Sequence, residues 1–378
     1  MGKINVAVFF GGVSGEHEVS LVSGSSIIQE LKKNDKYNVI EIGIGKSGRW
    51  FLGDHVLEIL KSGEEPKTND IVFLSQDPTE KGLIVIKNKD GKVEKINIKV
   101  DVIFPVLHGT NGEDGVIQGL FKLSNIPYVG CNVPSSALAM DKILSKRIFA
   151  SNGLNVVPDI FFTRRDWKEN QEDIIKKCEK IGYNLFIKPA NTGSSVGITK
   201  AHNREELKEG IELASKYDFT VQVEKSIDNA REIEVAILGN DRPKASVAGE
   251  IAPSGEFYDY AAKYEDGQSL TIVPARITDE QMKNIQEKAV KAFISLGCRG
   301  LSRVDFLMNP KTEEVYLNEI NTLPGFTSIS MYPKLWEASG IKYGKLLENL
   351  IDLAFEEFDE KHKNSTSFQS KNDWYKKG

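Results

Sequence analysis

The sequence predicts a mixed chain, α/β over its first third and α+β behind it, and three patterns carry that prediction. Between residues 4 and 107 apolar runs alternate with helical segments, the pattern of a parallel sheet wrapped in helices. Around 191–197 a glycine-bearing turn separates two short apolar runs inside a block with its own helices. Near the end, runs at 303–308 and 314–321 flank Asn309-Pro310-Lys311 and read as a hairpin.

Taken in order, 4–10 is a strand, 20–32 a helix and 37–44 a second strand. Residues 83–100 alternate about Lys89-Asp90-Gly91-Lys92, a hairpin turn signal. The run 101–107 is a further strand, stopped by His108-Gly109, and the first unit spans 1–129. The second unit, 130–225, holds a helix over 135–151, strands at 184–188 and 196–200, a helix over 205–216 and a strand at 220–224. In the third, 226–358, strands at 232–238 and 246–251 precede a polar stretch, 253–274, too long for a passive connector and read as a lid. Thr278-x-x-Gln281 forms a capping box, with Met282, Ile285, Ala289, Phe293 and Leu296 at helical spacing and Gly297 as the stop. A final helix carries Tyr343, Leu346, Leu347, Leu350, Ile351, Ala354 and Phe358 on one stripe; the polar tail 359–378 reads as disordered.

Composition narrows the function. The chain has 378 residues, and 49 basic against 54 acidic side chains give 49 − 54 = −5, against a broad nucleic-acid footprint. No run of 18 apolar residues predicts a membrane span. The N-terminus enters a strand directly, without a cleavage site, and Val6 stands where myristoylation wants a hydroxyl residue. Cys131, Cys178 and Cys298 are odd in number and far apart, with no CxxC, so ordinary reduced thiols of a cytoplasmic protein are expected.

Several motifs carry chemistry. Gly43-x-Gly45-x-x-Gly48 matches a dinucleotide fingerprint in letters, but the extended Arg49-Trp50-Phe51-Leu52 follows where a helix is required, so a turn is expected. A Walker A sequence is absent. The turn 191–197, Asn-Thr-Gly-Ser-Ser-Val-Gly, offers backbone N–H groups and hydroxyls to phosphate, and Lys188 ends the apolar strand just before it. A lysine buried there needs an anion. Strand alternation puts Arg303, Asp305 and Leu307 on one face, and Leu317, Glu319 and Asn321 on one face of the partner strand. Such an oxygen cluster suits Mg²⁺. In Leu323-Pro324-Gly325-Phe326 a glycine N–H beside Arg303 can meet an oxyanion, although taken alone the segment reads as a strand-ending turn. Gly11 to Glu18 and His108 follow two strands of the first unit, the edge where open α/β sheets bind ligands. Glu16 there can receive an ammonium group, or Glu16 and Glu18 can simply complement the dipole of the following helix, and His108 can be a structural hydrogen bonder, as lone histidines usually are.

Together the segments GGVSGEHEVSL (11–21), HGTNGEDG (108–115), ALAMDK (137–142), KPANTGSSVG (188–197), FYDYAAKY (257–264), RVDF (303–306) and NEINTLPGFTSISMYP (318–333) resemble the D-alanine–D-alanine ligases of the ATP-grasp superfamily. The resemblance runs from about residue 4 to 353. It implies a Rossmann-like parallel-sheet domain followed by a two-subdomain ATP-grasp fold, a cytoplasmic location, a homodimer, and no nucleic-acid or membrane partner. Lys142 and Lys188 match the lysines on the ATP phosphates; Glu224, Lys225 and Ile227 match the adenine hinge; Glu232 matches the ribose ligand. Asp305, Glu319 and Asn321 match ligands of magnesium, two ions in the family, which manganese can replace.

The implied reaction phosphorylates the carboxylate of one D-alanine with ATP, and the amine of a second then displaces phosphate. Glu16 would bind the first ammonium with His108 beside it. Arg303 and the Gly325 N–H would hold the oxyanion, and Lys263 and Ser330 the second carboxylate. Glu16, Ser194 and Tyr264 match a hydrogen-bonded triad that positions substrates and closes the lid. Lys263-Tyr264 and Met331 resemble the type using D-alanine, against relatives using D-lactate or D-serine.

Overall fold

The computed structural model describes residues 2–89, 92–193, 195–252, 270–327 and 329–365. In the first sheet β1 (Ile4–Gly11) is central and parallel both to β2 (Tyr37–Ile44) and to β7 (Val102–Pro105), with β3 (Trp50–Leu52) antiparallel on the edge. Val6 through Phe10 are wholly buried because the sheet is covered on both faces, which is why β1 reads as a continuous apolar run. Helix α1 (His17–Leu31) packs on it. The chain lies to one side of β1 in β2 and to the other in β7, so the carboxyl end of β1 is a topological switch point. Gly11 sits there at φ +89°, where a Cβ would stand 2.2 Å from the Ile44 carbonyl oxygen.

The fingerprint-like glycines form a turn, as expected: Gly45 N–H donates to the Arg49 carbonyl at 2.9 Å and β2 runs back as β3. Helix α2 (Val56–Lys61) leads to a three-stranded meander, β4 (Ile71–Leu74), β5 (Gly82–Lys89) and β6 (Lys92–Lys99). Lys89 lies opposite Lys92 in the expected hairpin, whose residues 90 and 91 lie outside the described residues. Helix α3 (Val116–Leu123) follows β7.

One helix expected over 135–151 is two, α4 (Val133–Met140) and α5 (Lys142–Ser151). Asp141 adopts extended backbone and accepts from Ile143 N–H and Leu144 N–H, both at 2.9 Å. Aspartate is a strong N-cap, and capping here makes Lys142 the first residue of a new helix. The central sheet has order β10-β9-β11-β8, from β8 (Asp159–Thr163), β9 (Leu185–Pro189), β10 (Thr199–Ala201) and β11 (Thr220–Lys225). Helices α6 (Arg164–Ile181) and α7 (Arg204–Tyr217) join its apolar cluster through Ile175, Leu207 and Ile211. The strand expected from 196 begins only at 199, since Ser195 and Gly197 take φ of +59° and +75°, which a strand does not allow.

The third sheet is antiparallel throughout, in order β14-β13-β12-β15-β16: β12 (Arg231–Leu238), β13 (Lys244–Ala252), β14 (Leu270–Ile272), β15 (Leu301–Met308) and β16 (Val315–Asn321). Residues 270–272, within the expected lid, are thus an edge strand; 253–269 lie outside the described residues. Helix α8 (Asp279–Ser295) buries Ile285, Ala289, Ala292 and Phe293, and both halves of its capping box form. After α9 (Met331–Ala338) the last helix, α10 (Tyr343–His362), continues past 359, so the first residues of the expected disordered tail are helical. His362 ties that end down by its ring contact with Phe358 and its Nε2 contact with Asn125 at 2.8 Å. Leu346, Leu347, Leu350 and Ile351 of α10 share one apolar cluster with Leu21, Ile27 and Ile28 of α1 and Phe104 of β7.

Thr278→Ala removes the cap of α8, whose hydroxyl accepts from Gln281 N–H at 3.2 Å. It is expected to cost about 1 kcal/mol, read as a lower urea midpoint; an unmoved midpoint would show the cap adds nothing.

Candidate active site

A cleft of about 1270 Å³ runs between the central and third sheets, and the carboxyl edge of the first sheet closes one end. Glu16, His108, Lys142, Lys188, Glu224, Ile227, Glu232, Arg303, Asp305, Glu319, Asn321, Gly325 and Ser330 all line it, although they come from strands of two sheets, from α5 and from connecting segments. Lys225 does not: its ammonium donates to the carbonyls of Gly182 at 3.1 Å and Tyr183 at 2.7 Å. Ser194, Lys263 and Tyr264 lie outside the described residues.

On the central wall, β9 and β11 pair with Phe186 opposite Glu224 and Gln222 opposite Lys188, so Glu224 and Lys188 are diagonal neighbours on one face. Lys188 bonds to one oxygen of the buried Glu224 carboxylate. Lys146 takes the other oxygen at 2.7 Å and lies 3.9 Å from Asp159. Burial opposes the charge on Glu224, but the two ammonium groups outweigh it and hold the carboxyl down to about 2. Lys188 is raised for the same reason: Glu224 overcomes the burial that disfavours its charge. The Lys142 ammonium donates to the Thr192 carbonyl, at the mouth of the glycine-bearing turn. Lys146 was not anticipated, yet it stands four residues after Lys142 on a helix, the spacing that places both on one face.

The opposite wall is the late hairpin. Arg303 faces Asn321 and Asp305 faces Glu319 across β15 and β16. The Arg303 guanidinium grips Asp305 through Nε at 2.7 Å and Nη2 at 2.6 Å, and Nε also lies 3.1 Å from Glu234. Asn321 Nδ2 donates to Asp305 at 2.8 Å. One expectation fails: a bulge between Asp305 and Phe306 puts Leu317 opposite Phe306, in the core, rather than on the face of Glu319 and Asn321. The extra residue, Asn318, takes up the offset, so apolar Leu317 is buried while Glu319 still reaches the cleft.

At the closed end, Ser14 Oγ donates to the His108 carbonyl at 2.8 Å and accepts from Glu16 N–H at 3.2 Å. A Cβ on Gly109 would stand 2.8 Å from Glu16 Oε2, and one on Gly193 3.0 Å from it, so this carboxylate occupies space that only glycines leave. The His108 ring donates through Nδ1 to the Leu323 carbonyl at 3.0 Å and meets Ser23 Oγ at 3.3 Å through Nε2. Burial lowers its pKa against the pull of Glu16 and favours the neutral ring. Ser23 Oγ also accepts from Phe326 N–H at 3.2 Å, which ties the Gly325 segment to α1. Ser330 Oγ accepts from Thr327 N–H at 3.0 Å and lies 2.8 Å from where a Gly325 Cβ would be. Glu113, in the HGTNGEDG segment but not anticipated, accepts from Gly109 N–H at 2.7 Å and from the Leu323 backbone. Burial first, and the Glu16 carboxylate second, push it up to about 8.

Two family models match, described as D-ala D-ala ligase N-terminus over residues 5–131 and D-ala D-ala ligase C-terminus over 148–352. The chain belongs to the D-alanine–D-alanine ligase family. It is 52% identical over 362 residues to the D-alanine–D-alanine ligase of Thermoanaerobacter sp. (strain X514), covering 96% of this chain and 99% of the relative. The corresponding ligase of Heliobacterium modesticaldum is 50% identical over 367 residues, 97% and 98% of the two chains. Among solved structures, the VanG D-Ala:D-Ser ligase from Enterococcus faecalis superimposes with TM-score 0.82 at 40% identity, covering 93% of this chain and 99% of that one. The D-alanine–D-alanine ligase from Coxiella burnetii gives 0.80 at 35%, covering 96% and 97%. The architecture is therefore ATP-grasp, and the family uses ATP. No described helix is long and apolar enough to cross a membrane.

The raised Glu113 pKa has a signed consequence. The folded state keeps a proton that the unfolded chain releases near its ordinary 4.5, so folding stability falls as pH rises from about 4.5 to about 8. Glu113→Gln should flatten this slope, read as urea midpoints at pH 6 and pH 9; an equally steep loss in the variant would remove Glu113 as its source.

Proposed function

We propose that the chain joins two D-alanines at the expense of ATP, making D-alanyl-D-alanine for peptidoglycan precursors, with the cleft residues in the following roles. One observation carries the assignment of roles. A cationic wall (Lys142, Lys188) faces an oxygen-rich wall (Asp305, Glu319, Asn321), and Glu16 and His108 close the end between them.

Lys142 and Lys188 bind the ATP phosphates, and because Lys146 shares Glu224, Lys188 is not neutralised by a private anion. Glu224 and Ile227 border the adenine and Glu232 the ribose. The Lys225 ammonium is committed elsewhere, so only its backbone can serve the hinge. Glu16 takes the ammonium of the first D-alanine, orienting its carboxylate toward the phosphates. Phosphoryl transfer to that carboxylate depends on positioning and charge neutralisation rather than covalent help from the protein. When the second amine attacks the acyl carbon, charge develops on its oxygen, which Arg303 and the Gly325 N–H stabilise. The bidentate Asp305 clamp fixes Arg303 beforehand, and the Ser23 bond to Phe326 N–H and the Ser330 bond to Thr327 N–H hold the segment that follows Gly325. Ser330 and Lys263 receive the second carboxylate; Ser194 and Tyr264 complete the triad with Glu16 and close the lid, which keeps water from the acyl phosphate.

Magnesium fits the donor set. Among the described residues no three carboxylate, imidazole or thiol groups converge as a ready metal cluster. Two carboxylates and one amide, completed by phosphate oxygens and water, nevertheless match the few-ligand preference of Mg²⁺. Asp305, Glu319 and Asn321 would hold it, where it would neutralise phosphate charge. Two ions, replaceable by manganese, a cytoplasmic location and a homodimer belong to the same reading.

A second reading, D-serine in the second site, is favoured by the superposition on a D-Ala:D-Ser ligase. The deciding experiment is mass identification of products from ATP, Mg²⁺ and a mixture of D-alanine, D-serine and D-lactate. D-Alanyl-D-alanine is expected to dominate; D-alanyl-D-serine as the main product would overturn the first reading. In the same assay Arg303→Ala should lower kcat by about 10²–10³. Glu319→Gln should raise the Mg²⁺ concentration needed for half-maximal rate, and unchanged Mg²⁺ dependence would remove Glu319 from the metal site.

A further inference from the structure

The turn 191–197 has no apolar residue in the central core, yet two consecutive residues outside the cleft hold both of its ends. Asp218, which ends α7, accepts through Oδ2 from Asn191 N–H at 2.7 Å and Asn191 Nδ2 at 3.0 Å. Its Oδ1 accepts from Thr220 N–H at 3.1 Å, fixing the carboxylate to the start of β11. Tyr217, the last residue of α7, leaves its ring over the other end. A Cβ on Gly197 would stand 2.6 Å from Tyr217 Cδ2 and 3.0 Å from Pro189 Cγ. Gly197 therefore serves twice, allowing φ +75° and letting an aromatic ring lie flush on backbone. Tyr217 is 52% exposed, and the face of its ring that is covered lies on Gly197. On the cleft side, the Lys142 ammonium holds the Thr192 carbonyl.

We infer that Asp218 and Tyr217 are positioning residues for ATP, which brace the two ends of the phosphate-facing turn, Asn191 and Gly197, from behind and so pre-set the turn for the β- and γ-phosphates. Neither touches substrate. A turn held at both ends loses little freedom when it binds, so the brace contributes to affinity through pre-organisation. The inference rests on the reading of 191–197 as the phosphate turn.

The test compares wild type with Asp218→Asn, Tyr217→Ala and Tyr217→Phe in dipeptide assays, and measures binding of ATP and of AMP by calorimetry. Asp218→Asn keeps one acceptor oxygen where two are used, so an amide N–H must face either the Asn191 donors or the Thr220 N–H that anchors the brace. It should raise KM for ATP about tenfold, with KM for D-alanine and the AMP affinity changed less than about twofold. Tyr217→Ala should act in the same direction, and Tyr217→Phe, which keeps the ring, should match wild type. Asp218→Asn leaves the core untouched and carries the test should Tyr217→Ala not fold. Equal losses for ATP, AMP and D-alanine, or no loss at all, would overturn the brace. A wild type that binds ATP but makes no dipeptide would instead overturn the function, and the ATP-to-AMP ratio would still decide the brace.

Discussion

The cleft depends on one buried carboxylate. Without Glu224, Lys188 would be an isolated cation on an apolar strand, and the desolvation penalty would drive it neutral or out to solvent. With Glu224 alone, the pair would have no net charge to offer a phosphate. Lys146 resolves this: it takes the second oxygen of Glu224 and also lies near Asp159, so Lys188 shares its anion and the geometry is fixed by hydrogen bonds to both carboxylate oxygens. A buried ionic arrangement of this sort adds little to stability but specifies where a charge must stand.

The opposite wall is set by backbone rather than by charge. The bulge in β16 lets one strand satisfy two demands, a buried Leu317 and a cleft-facing Glu319, that strict alternation cannot meet together. Arg303 then serves as counter-ion to Asp305 and Glu234 while remaining at the cleft surface. The two walls belong to different sheets, and the first sheet contributes Glu16 and His108 from its switch point. The cleft thus lies where three sheets meet.

Much of this was legible beforehand because it rests on local rules. Strand 37–44, the box at Thr278 and Gln281, and the turn whose letters match a nucleotide fingerprint each follow from pattern and turn chemistry within a dozen residues. Lys188 and the hairpin acids stood out because charges interrupted apolar runs. What escaped was long-range or depended on a single backbone torsion. Lys146 and Glu113 look like ordinary surface charges until the partners that bury them, Glu224 and Leu323, are brought from far along the chain. The break at Asp141 and the bulge at Asn318 are one-residue events that periodicity averages away. The lysine at 225 sat in the right segment, but its side chain found carbonyls on the far side of the strand.

The packing of α10 on α1 has a consequence for how the molecule is made. Hydrophobic surface on the first sheet and helix is completed by residues far later in the chain, so during synthesis that surface stays uncovered until α10 has emerged. Chains released early, or cut ahead of residue 343, would keep an exposed greasy flank and become clients for chaperones and proteases.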